Sequence, residues 1–117
     1  MTGQTTTTTA TDTWREIIAL LVEAADRGYR DATTNPALHS TALWADNVAS
    51  AAIALLPPEL DDLLDEVVLD EQTAGLDLAG LIWAADAATR RHPVEELPVG
   101  ASGVIVDLRD LAREASQ

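Results

Sequence analysis

No cysteine, no lysine and no phenylalanine occur in the 117 residues of this chain. Without Cys there is neither a disulfide framework nor a thiolate metal site, and the redox compartment stays undetermined. Without Lys there is no amine to form a Schiff base. The aromatic content is Trp14, Trp44, Trp83 and Tyr29, so the residue types that favour strands are sparse. No apolar run approaches the roughly 20 residues of a membrane span. Met1 to Thr13 is polar and carries neither the basic nor the apolar region of a signal peptide, so the cytoplasm is the expected compartment. One further absence is positional. Between Ala32 and Thr89 there are ten acids and not one base, so this middle stretch holds −10 of the formal net charge of −13.

Hydrophobic residues make up 47% of the chain, chiefly Leu and Ala, which favours helix and argues against disorder. At 12.4 kDa the chain is one domain. Residues 1–12 are expected to form a flexible, Thr-rich polar arm, because they cannot bury enough apolar surface to offset their ordering entropy. Residues 13–117 are expected to fold as a compact all-α bundle of five helices, the third one short.

Five segments carry helical periodicity. The first starts at a Thr13-x-x-Glu16 capping box. It repeats Trp14, Ile17, Ile18, Leu21, Ala24, Ala25, Gly28 and Tyr29, an arc wide enough for two neighbours. The second, about 37–56, follows Asn35 as N-cap and Pro36 in its first turn, and ends at Pro57-Pro58. The third, about 58–69, sets Leu60, Leu63, Leu64, Val67 and Val68 against a row of acids. After a turn at 72–75 comes the segment Leu76 to Thr89, with only Asp77 and Asp86 charged. Ser102 reads as the cap of the last helix, about 103–116. There Val104-Ile105-Val106 competes as strand, and the following periodicity decides for helix.

The segment Leu76–Thr89 is apolar on two sides. Leu78, Leu81, Ile82, Ala85 and Ala88 form one face, and Leu76, Gly80, Trp83, Ala84 and Ala87 form the other. A helix of this kind is covered on both sides by its own fold or by a partner. If the other helices wrap it, Trp83 is core and the protein a monomer. Otherwise Gly80, Trp83, Ala84 and Ala87 mark a contact surface, with Trp83 its centre.

The second candidate surface is acidic, with Asp61, Asp62, Asp65 and Glu66 on the wet side of the third segment. Such residues can hold Mg²⁺ or Ca²⁺. All-α nucleotide pyrophosphohydrolases use bundle carboxylates in this way. Their Glu-Glu-x-x-Glu pattern is missing here, as is the Asp-x-Asp-x-Asp-Gly spacing of a Ca²⁺ loop. A solvated or protein-docking face is the better account. His39 and His92 stand apart without a nucleophile near either in sequence, and Gly100-Ala101-Ser102-Gly103 misses the Gly-x-Ser-x-Gly spacing of a nucleophile elbow. No catalytic, cofactor or metal residue is assigned. The expected function is a non-enzymatic adaptor, accessory or assembly protein that binds a copy of itself or a basic protein surface. Its charge disfavours direct contact with nucleic acid or anionic membrane. Two alternatives remain: an acidic mimic of nucleic acid that inhibits a DNA- or RNA-binding protein, and a divalent-metal hydrolase of the bundle type.

Overall fold

The computed structural model describes residues 9–56 and 69–115, and within them the chain is helical with no strand. Among the described residues there are five α-helices: α1 (Ala10–Asp31), α2 (Leu38–Ala54), the single-turn α3 (Glu71–Ala74), α4 (Leu78–Ala88) and α5 (Ala101–Ala115). A 3₁₀ turn, Val94–Glu96, lies between α4 and α5. The all-α bundle expected from composition is what forms. The expected helix over 58–69 lies outside the described residues except for Leu69, and the low-complexity start 1–8 lies outside them too.

The four longer helices form a ring in which every adjacent pair is antiparallel. α1 packs on α2 and α4, and α5 packs on α4 and α2. Three contacts fix the directions. Arg27, near the end of α1, donates to the carbonyls of Ala74 (2.9 Å) and Leu76 (2.7 Å) just ahead of α4. His92, just after α4, meets Thr13 at the start of α1. Leu55, at the end of α2, lies against Gly100 at the start of α5. The chain therefore goes up in α1, down in α2, down again in α4 and up in α5. This is a bundle with one crossover connection.

The apolar faces read from periodicity become the core. Trp14, Ile17, Ile18, Leu20 and Leu21 of α1 are buried against Leu81 and Ile82 of α4, Leu108 and Leu111 of α5, and the alanines of α2. Each large aliphatic side chain buried in this way stabilises the fold by roughly 1.5–3 kcal/mol relative to exposure. Trp14 also satisfies its one polar atom, since its indole N–H donates to the carbonyl of Ala52 (3.0 Å). Gly28 is where three helices converge. A Cβ there would lie 2.7 Å from Ala42 Cβ and 3.1 Å from Leu78 Cδ2.

Helix starts depart from the sequence expectations in five places. α1 begins at Ala10, with Thr9 as its cap, accepting from the amide of Asp12 (3.0 Å). Residues 10–12 thus belong to the helix and not to the arm, and Thr13 is buried inside it, its hydroxyl taken by His92. The cap of α2 is Ala37, without a side-chain hydrogen bond. Asn35 and Pro36 make the turn ahead of it through their carbonyls. The expected turn at 72–75 is mostly the helical turn α3, capped by Asp70, whose carboxylate accepts from the amide of Thr73 (2.6 Å). α4 is shorter than 76–89, because Asp77 accepts from the amide of Gly80 (2.8 Å) and sets the start. α5 begins at Ala101 and contains Ser102 as an exposed first-turn residue. The preceding Gly100, at φ +95°, makes the bend that a side chain would strain.

Candidate interaction face

α4 is two-faced, as its composition demands. Leu78, Leu81, Ile82, Ala85 and Ala88 are buried, and this face looks into the ring. The other face divides. Gly80 is turned toward Leu76 and Asp77 as part of the helix start, and Ala84 is partly buried against the core. Trp83, at 45% exposure, and Ala87 face solvent. The described helices therefore do not enclose Trp83, although α1 and α5 cover the opposite face.

What surrounds Trp83 was not legible as a site in the sequence. It borders a concavity of about 290 Å³ with Asp86, Arg90, Arg109, Ala112 and Arg113. A second concavity, of about 360 Å³, shares Arg90 and Arg109 and extends past Val94, Ile105 and Val106. Val94 (46% exposed) and Val106 (57%) are large apolar residues open to water there. The result is one continuous face on α4 and α5. It carries three exposed apolar side chains and three of the seven arginines of a strongly acidic protein.

Asp86 organises the arginines. Its side chain is buried, on a helix where it is the one charge among 78–88. Arg90, four residues on, places Nη2 3.0 Å from Oδ2, and Arg109 of α5 brings Nε to 3.7 Å from Oδ1. Oδ1 receives no hydrogen bond, so Arg109 holds it through charge alone. Both guanidiniums remain about half exposed above this buried carboxylate. Arg113, one turn beyond Arg109, pairs with Asp110. Burying a carboxylate is costly unless it is paired, so the position of Asp86 commits Arg90 and Arg109 to this face.

A second constellation has the outline of a catalytic relay. Thr13 Oγ1 lies 3.0 Å from His92 Nε2, and His92 Nδ1 lies 3.3 Å from Glu96 Oε1. The nucleophile position fails the access test, because Thr13 has 0% exposure and no electrophile reaches its hydroxyl. The geometry serves instead to tie the first turns of α1 to the chain leaving α4. His39 stands elsewhere, tilted against the ring of Tyr29 at 5.5 Å between centroids.

The acidic candidates Asp61, Asp62, Asp65 and Glu66 lie outside the described residues. Among the described residues no group of three or more His, Asp or Glu is placed to hold a metal ion, and no helix is long and apolar enough to cross a membrane. Of the flanking acids, Asp70 is committed to capping α3. The amide of Thr73 holds its carboxyl below the ordinary aspartate range.

Comparison with protein-family models, with curated proteins and with solved structures gave no match. The fold defines the class, an all-α bundle with one crossover, and its α4–α5 side presents an apolar, arginine-bearing face.

Proposed function

We propose that this protein is a non-enzymatic interaction module that docks another protein chain through the α4–α5 face, with self-association as its first form. The observation that carries the reading is the half-exposed Trp83, set beside Val94 and Val106 and interleaved with Arg90, Arg109 and Arg113. Tryptophan and arginine are the residues most enriched where contacts contribute most to binding. The arginine stems also add apolar surface while their heads stay hydrated. The cationic character of the face turns the expectation of a basic partner around at this surface, where an acidic partner fits.

Sedimentation velocity over a concentration series tests the reading. The expected result is a weight-average mass that climbs above the monomer, with Trp83→Ala raising the dissociation constant roughly thirtyfold, the size of a hot-spot loss of roughly 2 kcal/mol. A strict monomer at every concentration, or association indifferent to Trp83→Ala, overturns it.

A further inference from the structure

We propose that the α4–α5 face receives the acidic segment Glu59–Glu66 of a second copy, so that copies join head to tail. The inference rests on the face being a docking surface and adds what docks there. Two chemistries are required of the occupant. The concavities beside Trp83 and Val106 call for apolar side chains, and the guanidiniums of Arg90, Arg109 and Arg113 call for carboxylates. Against those three cations the face itself carries Asp86, buried and already paired, and Asp110, paired with Arg113. Arginine has five N–H donors, so one pairing leaves donors for an incoming carboxylate.

The segment Glu59-Leu60-Asp61-Asp62-Leu63-Leu64-Asp65-Glu66 supplies five acids and three leucines without a base. Each copy thus carries both halves of a complementary pair. Charge distribution favours this source over a patch-to-patch dimer. Two molecules of net charge −13 repel one another in most orientations. Residues 90–117 are close to neutral, with four arginines and five acids, whereas residues 32–89 carry −10. The least repulsive approach sets the middle stretch of one copy against the C-terminal stretch of the next. Placing two arginine faces together instead leaves the acidic stretch of neither copy compensated. A contact between unlike surfaces leaves one half open at each end, so assembly continues into a ring or an open chain.

Two altered full-length chains test the inference by sedimentation velocity. One carries Val106→Glu and Arg113→Glu, both at exposed positions that do not pair with Asp86. The other carries Asp62→Lys and Asp65→Lys. Circular dichroism and urea midpoints establish that each folds, and Arg113→Glu alone and Glu66→Lys alone serve if either double variant does not. The unaltered chain is expected to associate with a dissociation constant that rises roughly tenfold between low and high salt. Each variant alone is expected to stay monomeric. An equimolar mixture of the two is expected to give a complex of twice the monomer mass and nothing larger, because one intact face and one intact segment remain. If the unaltered chain associates and Asp62→Lys/Asp65→Lys associates equally well, the face stands as a docking surface but the occupant is wrong. If the mixture stays monomeric, the head-to-tail arrangement is wrong. A strictly monomeric unaltered chain, including one that sequesters its own segment, overturns the underlying reading itself.

Discussion

At the scale of single residues, the arrangement around Asp86 is asymmetric. Removing the acid leaves Arg90 and Arg109 near the surface, where they return to water at little cost. Removing the arginines leaves a buried carboxylate without a partner. Asp86→Asn is therefore expected to cost about 1 kcal/mol, and Arg90→Ala with Arg109→Ala about 3 kcal/mol. Urea unfolding at neutral pH measures both, and equal losses would remove the argument that the arginines are held for the carboxylate. The hydrogen bond between Thr13 and His92 has the same lesson at 79 residues of separation. A threonine with a good capping signature lies inside α1, where its hydroxyl meets a histidine from the chain that leaves α4.

At the scale of elements, the approach of α1 to α2 and α4 depends on Gly28. Alanine is favoured over glycine in a helix by about 1 kcal/mol, so Gly28→Ala would stabilise α1 in isolation. In the bundle the new methyl group meets Ala42 Cβ at 2.7 Å, and a Cβ is fixed to its backbone and cannot rotate away. Net destabilisation of about 1–3 kcal/mol is expected, read as a lower thermal midpoint; a higher midpoint would mean that the helices can slide apart. The cap of α3 predicts a pH effect. The Thr73 amide lowers the Asp70 carboxyl below its unfolded value of roughly 3.9. A lowered folded value means that the contribution is full above the unfolded value and is lost as pH falls through the folded one. Asp12 follows the same sign, lowered first by the side chain of Arg15 and then by Thr9. Asp70→Ala is expected to lower the urea midpoint at pH 7, with the gap to the unaltered chain narrowing below about pH 4. A gap that is constant across this range would show that the carboxylate is not the capping group in solution.

At the scale of the whole molecule, a crossover bundle of net charge −13 shows an arginine-bearing apolar surface on α4 and α5. Self-repulsion of this size is screened by salt. Salt is therefore expected to raise the unfolding midpoint of the isolated chain while weakening its association. The two effects separate in one experiment, with thermal melts and sedimentation run across the same salt series. Association that strengthens with salt would place the apolar contacts of Trp83, Val94 and Val106 ahead of the arginines.

The periodicity of Leu and Ala determined the helices and their inward faces, because burial of an apolar stripe follows directly from 3.6 residues per turn. Leu78, Leu81, Ile82, Ala85 and Ala88 were legible as a buried face for that reason. The starts of the helices were less legible, since Thr9, Thr13, Asn35, Asp70, Asp77 and Ser102 are all competent caps and the packing of distant segments selects among them. The candidate site divides in the same way. Trp83 stood out in the sequence, as a large residue on the second face of an almost uncharged helix. Its neighbours did not, because Arg109, Arg113 and Val106 belong to an amphipathic helix whose wet face looks ordinary in isolation. Helix identity is a local property, carried by composition and spacing. The position of an arginine from α5 over a carboxylate buried on α4 exists only once the two helices pack side by side, and that packing decided which side of α4 stays open.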